Sequence, residues 1–136
     1  MRNPIRLVGE MELAWAAGFF DGEGWTGTYQ AEGKQSVDLR MHVTQTDKDV
    51  LERFRVAVGC GMVEPLKRRK NRKQAWRWRV RGQEVVDVAA KLHDLLCQPK
   101  QDQMVTAIGR RLAYEEIASA KDRSRNSGHS RLRLVS

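Results

Sequence analysis

Two stretches of the chain alternate between apolar and polar residues, which is the pattern of a β-strand with one buried face. In the first, apolar Val37, Leu39, Met41 and Val43 alternate with polar Asp38, Arg40, His42 and Thr44. In the second, Trp76, Trp78 and Val80 alternate with Arg77, Arg79 and Arg81. Each stretch is predicted to be the second strand of a hairpin, whose first strand covers residues 25–30 or 62–67.

Apolar residues three or four positions apart predict four helices around these hairpins. The first covers residues 11–20, and the second follows Asp47, a good N-cap, and ends near Val58. The third covers residues 83–96 and the fourth covers residues 99–119. This order predicts an α+β fold, αββαββα with a last helix, in which a four-stranded antiparallel sheet carries helices on one face.

The two ends of the chain are predicted to lie outside this domain. Residues 1–10 are interpreted as a short lead-in, because Pro4 and Gly9 oppose regular structure. Residues 11–119 are predicted to form one domain, which is large enough for a hydrophobic core. Residues 120–136 are rich in Ser and Arg with little apolar content, so we expect this tail to be disordered.

The positive charge of the chain indicates a partner for the face of the predicted sheet that carries no helices. The chain of 136 residues has a formal net charge of +8 and a pI near 10.0, which favours nucleic acid as a partner. Residues 67–81 contain nine Lys and Arg and no acidic residue, so phosphate contacts are expected to supply much of the affinity. The residues expected to contact DNA are Asp38, Arg40, His42, Thr44, Lys67, Arg68, Arg69, Arg77, Arg79 and Arg81.

The sequence also argues against a membrane or secreted protein. No apolar run approaches the roughly 20 residues that a membrane-spanning helix needs, and no signal peptide opens the chain. Cys60 and Cys97 are isolated from each other and lack the spacing of a zinc site or a disulfide framework. We therefore expect an intracellular protein without a membrane partner.

The end of the first predicted helix carries the candidate chemistry. In the run from Trp15 to Gly24, an apolar segment that includes three small residues leads to Asp21 and Glu23, which alternate with glycines. Carboxylates at the negative end of a helix dipole are disfavoured unless a cation compensates them. Hard divalent cations prefer carboxylate and carbonyl oxygens. The run therefore predicts a packing helix that delivers an acidic group to a metal, and the plainer interpretation is a solvated turn.

The segment from Ala16 to Gly24 resembles the nine-residue LAGLIDADG motif of homing endonucleases, and the predicted order of elements resembles the domain of that family. The resemblance covers about residues 10–118. It implies a site-specific endonuclease that cuts both strands of duplex DNA with a divalent metal, Mg²⁺ or Mn²⁺. Ala16 replaces the usual Leu, Glu23 replaces the commoner Asp, and Trp25 stands where a small polar residue is usual.

The resemblance also implies roles for particular residues. Glu23 corresponds to the metal-ligating acid, with the carbonyl of Gly22 as a second ligand. Asp21 corresponds to the first acid of the motif, which mainly holds the helix end and is less directly catalytic. Gln45 resembles a family glutamine that organises solvent, and Lys100 resembles a lysine that lies near the scissile phosphate.

A single copy of the motif implies a homodimer, because hydrolysis of both strands needs two active sites. The expected dimer interface is formed by Ala16, Ala17 and Gly18 of each first helix, which would bring the two Glu23 carboxylates together. A two-fold symmetric dimer predicts a palindromic or pseudo-palindromic target.

Two other functions remain open from the sequence. The first is a LAGLIDADG-type protein that no longer cuts and acts as a DNA-binding regulator, which Trp25 favours and Glu23 opposes. The second is an RNA maturase that assists intron splicing, and RNA is an expected partner only in that case.

Overall fold

The computed structural model describes the backbone of residues 4–135 and the side chains of residues 9–124. Nine elements follow one another along the described residues, and the eighth is a short 3₁₀ turn at His93–Leu95. The helices and strands are α1 (Pro4–Glu23), β1 (Gly24–Tyr29), β2 (Asp38–Gln45), α2 (Lys48–Val58), β3 (Met62–Pro65), β4 (Trp76–Arg81), α3 (Gln83–Leu92) and α4 (Gln98–Val135). The predicted α+β class and order are confirmed.

The four strands form one antiparallel sheet in the order β1-β2-β4-β3. Buried and half-buried residues alternate along β2, as its sequence predicts, so Leu39, Met41 and Val43 face the core. In β4, Trp78 and Val80 face the core in the same way. The opposite face of the sheet carries the polar side chains.

Aromatic packing between α1, α2 and β4 forms the centre of the core. Trp78 is fully buried, and its indole Nε1 donates a hydrogen bond to the carbonyl of Cys60 at 2.9 Å. Its ring meets Phe54 edge-on, with the ring centroids 4.7 Å apart, and Phe54 in turn stacks on Phe20. The predicted core role of Trp78 is confirmed, whereas Trp76 is only half-buried, with the Lys48 ammonium 4.6 Å above its ring.

Asp47 begins α2 in the manner that its residue type predicts. Its side chain accepts hydrogen bonds from the backbone N–H groups of Asp49 and Val50, and the helix ends at Gly59 in the left-handed conformation with φ of 84°. The prediction of this helix from sequence is confirmed, and it was possible because both end signals are local.

Three helix ends differ from the sequence-based predictions. Helix α1 begins at Pro4 rather than Met11, because proline fits the first turn of a helix and one glycine within a helix costs only about 1 kcal/mol. It also continues past Phe20 to Glu23. Helix α3 ends at Leu92, four residues early, and the 3₁₀ turn takes over the rest of the predicted helix.

The fourth helix is much longer than predicted. The composition of residues 120–136 predicts a disordered tail, but α4 continues from Gln98 to Val135. No proline follows Pro99, so nothing in this part of the sequence removes a helical hydrogen bond. In the part of the tail that the structure describes, the backbone is helical up to Val135. Among the described residues, no helix is long and apolar enough to cross a lipid bilayer.

Two glycines with positive φ offer a test of the core. At Gly61, with φ of 104°, a Cβ would lie 2.1 Å from Nε1 of Trp78. At Gly33, with φ of 78°, a Cβ would meet nothing within 4 Å. We expect Gly33→Ala to lower the free energy of unfolding by about 1 kcal/mol, from backbone strain alone. Gly61→Ala should cost about 1–3 kcal/mol more, because it also overpacks the core.

Urea unfolding of the two variants and the wild type measures this difference. An equal loss of stability in both variants would show that a Cβ at position 61 does not overpack the core against Trp78.

Candidate active site and nucleic-acid interface

The motif helix displays Glu23 at its last position, and β1 begins at the next residue. Glu23 and Gly22 are both exposed, and Glu23 makes no hydrogen bond or ion pair with the residues that the structure describes. Gly24 is buried, and a Cβ there would lie 2.3 Å from the ring of Phe20. The glycine therefore allows the chain to turn tightly from helix to strand, and the Glu23 carboxylate stays open to solvent.

Asp21 joins this helix end to α4. Its two carboxylate oxygens accept hydrogen bonds from the backbone N–H of Cys97, at 3.0 and 3.2 Å. Cys97 directly precedes α4, so the carboxylate lies at the positive end of that helix dipole. This contact holds the end of α1, which is the role that the resemblance implies for Asp21.

Side chains of α4 pair with the outer edge of β1. Nζ of Lys100 donates to the carbonyl of Gly24 at 2.5 Å. Three residues further along α4, the side-chain oxygen of Gln103 accepts from the backbone N–H of Thr26 at 3.0 Å. The Lys100 ammonium is thereby held at the residue that follows Glu23.

Gln45 lies at the same end of the sheet. It is the last residue of β2, two positions beyond Val43, which pairs with Gly24. The strand register thus brings Gln45 to the corner where α1 meets β1. The structure therefore collects Asp21, Gly22, Glu23, Gln45 and Lys100 at one end of the sheet.

The oxygen donors at this corner fit a hard divalent cation. The last carbonyls of α1 have no partner within the helix and carry the negative end of its dipole. Together with the exposed Glu23 carboxylate, they form an all-oxygen donor set of the kind that Mg²⁺ prefers. Within the described residues, no three His, Cys, Asp or Glu side chains come close enough together to hold a metal by themselves.

The outward face of the sheet carries every strand residue expected to contact DNA. Across the β2–β4 ladder, Arg40 lies opposite Arg81, His42 opposite Arg79, and Thr44 opposite Arg77. Like charges that face each other across strands destabilise a sheet. A face of this charge is therefore suited to a polyanion.

Two arginines on this face have acidic partners. Arg40 pairs with Asp38 at 3.1 Å, and its guanidinium also lies 4.6 Å from the ring centre of Tyr29. Arg79 pairs with Glu64 of β3 at 2.7 Å. Sequence analysis missed Glu64, which lies between Val63 and Pro65 in β3, a strand of four residues without alternation.

The loop between β3 and β4 extends the basic surface beyond the sheet. Lys67, Arg68 and Arg69 are all exposed in this loop, as the prediction of DNA contacts requires. Nε of Arg68 donates to the carbonyl of Arg72 at 3.0 Å, which closes the basic loop on itself.

Solved structures share this arrangement of elements. No protein-family model and no curated protein matches the sequence. The homing endonuclease I-CvuI, solved in complex with its DNA target in the presence of Ca, is 23% identical over 87% of this chain and 74% of its own, with a TM-score of 0.62. I-GzeII, a LAGLIDADG homing endonuclease in complex with its DNA target, is 23% identical over 89% of this chain and 39% of its own, with a TM-score of 0.63. The homing endonuclease I-TnaI is 26% identical over 76% of this chain and 74% of its own, with a TM-score of 0.54.

The chain has the LAGLIDADG homing-endonuclease fold. This confirms the fold expected from the motif and the order of elements. The match extends over 74% of the I-CvuI chain but only 39% of the I-GzeII chain, so this chain corresponds to one part of the larger protein.

Two of the three residues predicted to form the dimer interface lie on the face of the LAGLIDADG helix that is buried within its own domain. Ala16 and Ala17 are 0% and 1% exposed, because α1 packs these two residues into the core of its own domain. Their assignment to a dimer interface is therefore wrong. Gly18 is exposed, and a Cβ there would meet nothing within 4 Å. Ala14 and Gly22, four residues away on either side, are exposed on the same helix face.

Trp25, which departs from the usual LAGLIDADG pattern, lies on the outward sheet face. Its indole stacks on the imidazole of His42, with ring centroids 4.7 Å apart. Burial lowers the pKa of His42, and the positive charge of Arg77 lowers it further, so the imidazole is neutral at neutral pH. Trp25 therefore belongs to the surface expected to face DNA, which sequence analysis did not anticipate.

The contact between Asp21 and Cys97 can be tested through thiol chemistry. A hydrogen bond to Asp21 and the charge of its carboxylate raise the pKa of the Cys97 thiol. In a Cys60→Ser background, Asp21→Asn should lower that pKa, so that iodoacetamide alkylates Cys97 faster at a given pH below it. The measurement is the alkylation rate as a function of pH.

Glu23→Gln is the matched control, because it removes a neighbouring carboxylate that makes no contact with Cys97. The same pH profile in the wild type and Asp21→Asn would contradict the contact.

Proposed function

We propose that this chain is a homodimeric, divalent-metal-dependent endonuclease that cuts both strands of duplex DNA at a pseudo-palindromic site. The observation that carries the proposal is the exposed Glu23 carboxylate at the end of the motif helix, in a fold shared with homing endonucleases solved in complex with DNA. The cationic sheet face beside it supports a nucleic-acid partner.

Glu23 and the carbonyl of Gly22 would hold the metal, Mg²⁺ or Mn²⁺. A divalent cation in such a site neutralises charge on a phosphate and favours deprotonation of attacking water. Lys100 adds a positive charge beside the phosphate, and its hydrogen bond to Gly24 supports this role because it keeps the ammonium near Glu23. Gln45 would orient solvent at the same corner, while Asp21 keeps the helix end docked on α4.

The second copy of the chain would pack against the exposed stripe of α1. Ala14, Gly18 and Gly22 are small, exposed and spaced by four residues, so a second helix can approach this face closely. Such packing brings together two helix ends, each with its own Glu23. One protomer supplies one acid, and the dimer supplies one for each DNA strand.

Cleavage of a randomised duplex library tests the proposed activity directly. Double-strand breaks at one near-palindromic sequence with Mg²⁺, and none with EDTA, are expected. Binding without a cut would contradict the endonuclease and point to a DNA-binding regulator. Stronger binding of structured RNA than of duplex DNA would point to a maturase.

Glu23→Gln should reduce cleavage by more than about 100-fold, because an amide binds a divalent cation poorly and cannot offset its charge. The fold and DNA binding should be retained, since the exposed Glu23 carboxylate makes no hydrogen bond or ion pair with other described residues. Glu116→Gln, an exposed change on α4, is the matched control and should cut like the wild type. Full cleavage by Glu23→Gln would remove Glu23 from the active site.

Gly18→Leu tests the dimer. Gly18 and Gly109 are both exposed helical glycines with open space around them, so a Leu at either position leaves the monomer intact. We expect Gly18→Leu to sediment as a monomer and to lose double-strand cleavage, because its side chain separates the two helices. Gly109→Leu on α4 should remain a dimer and cut normally. A fully active dimer of Gly18→Leu would place the interface on another surface.

A further inference from the structure

One patch of the outward sheet face is aromatic, although arginines of β2 and β4 lie close to it. Trp25 and His42 stack with their ring planes within 25°. A Cβ at Gly27 would lie 2.2 Å from the indole of Trp25, so the ring extends along β1 over the position where Gly27 has no side chain. We call Trp25, Gly27 and His42 the aromatic patch.

The aromatic patch is uncharged although it lies among cations. His42 is neutral at neutral pH, because burial and the charge of Arg77 lower its pKa. Arg79, opposite His42 in the sheet, is engaged by Glu64. The half-buried indole therefore presents ring carbons at this point of the face, where the neighbouring positions present guanidinium groups.

We propose that the aromatic patch determines specificity by contacting the 5-methyl group of a thymine in the target. This inference rests on the proposed cleavage of DNA. In the major groove, base edges offer hydrogen-bond donors and acceptors, and the thymine methyl is their apolar feature. An uncharged aromatic surface complements that methyl and leaves the polar edge of a cytosine or guanine without a partner.

The position of Trp25 also places the contact along the DNA. Trp25 is two residues beyond Glu23, and strands and DNA both advance by roughly 3.3 Å per residue or base step. The thymine should therefore lie within about two base pairs of the position nearest Glu23, once in each half-site of a symmetric target.

Deoxyuridine tests this contact, because it differs from thymidine only in lacking the methyl group. Each thymine of the target selected by the wild-type protein is replaced in turn, and binding is measured without Mg²⁺ so that the DNA stays intact. One thymine per half-site should weaken binding about fourfold when replaced, as expected for burial of a single methyl group. In Trp25→Ala, that replacement should have no effect.

Two further variants make the result specific. Gly27→Ala keeps the tryptophan but displaces its ring, so it should also abolish the response to deoxyuridine. Tyr29→Ala removes another aromatic ring from the same strand, one that lies against Arg40, and should keep the response.

A target without a methyl-sensitive thymine near the cut would overturn the inference and leave the proposed function intact. The same holds if Trp25→Ala and Gly27→Ala both respond to deoxyuridine like the wild type. Failure of the wild type to select any duplex would instead overturn the proposed function, and this inference with it.

Discussion

The contact of the Asp21 carboxylate with Cys97, at the N-terminus of α4, is the constraint on which the candidate site depends. It places a negative charge at the positive end of a helix dipole and ties together two segments that are 76 residues apart. Once α4 is docked there, Lys100 and Gln103 reach the free edge of β1. The end of α1 and the starts of β1 and α4 therefore form one corner, from which Glu23 projects into solvent.

That corner explains why the two acids of the motif differ in role. The Asp21 carboxylate accepts from the backbone N–H of Cys97 and contributes to the fold, whereas the Glu23 carboxylate makes no hydrogen bond or ion pair with the described residues. An exposed carboxylate at the negative end of a helix is unfavourable without a cation, so this position contributes nothing evident to stability. Glu23 is therefore the acid of the motif with a candidate functional role.

The sheet face shows a similar division between stability and function. Ion pairs of exposed side chains contribute at most about 1 kcal/mol each, so the pairs of Arg40 with Asp38 and of Arg79 with Glu64 do little to stabilise the sheet. Their effect is to orient guanidinium groups on a face that otherwise brings cations together. Orientation before binding lowers the entropy lost when a side chain meets a partner.

The sequence by itself determined the features that depend on neighbouring residues. Alternation along 38–45 and 76–81 was enough to assign the two sheet faces, and Asp47 and Gly59 marked the ends of α2. The motif and the predicted order of elements indicated the fold, and the motif indicated Glu23 as the candidate metal ligand. The limits of α1 and α4 were missed, because helix length depends on packing as well as on local breakers.

The tertiary structure alone decided which side of each element is covered. Ala16 and Gly18 are both small, yet one is fully buried and the other exposed, since the rotation of α1 is set by its contacts with the sheet and its neighbouring helices. The pairing of Asp21 with Cys97 was hidden for the same reason, and so was the stacking of Trp25 on His42. These contacts join residues far apart in the chain, and local sequence patterns carry no information about the distance between them in space.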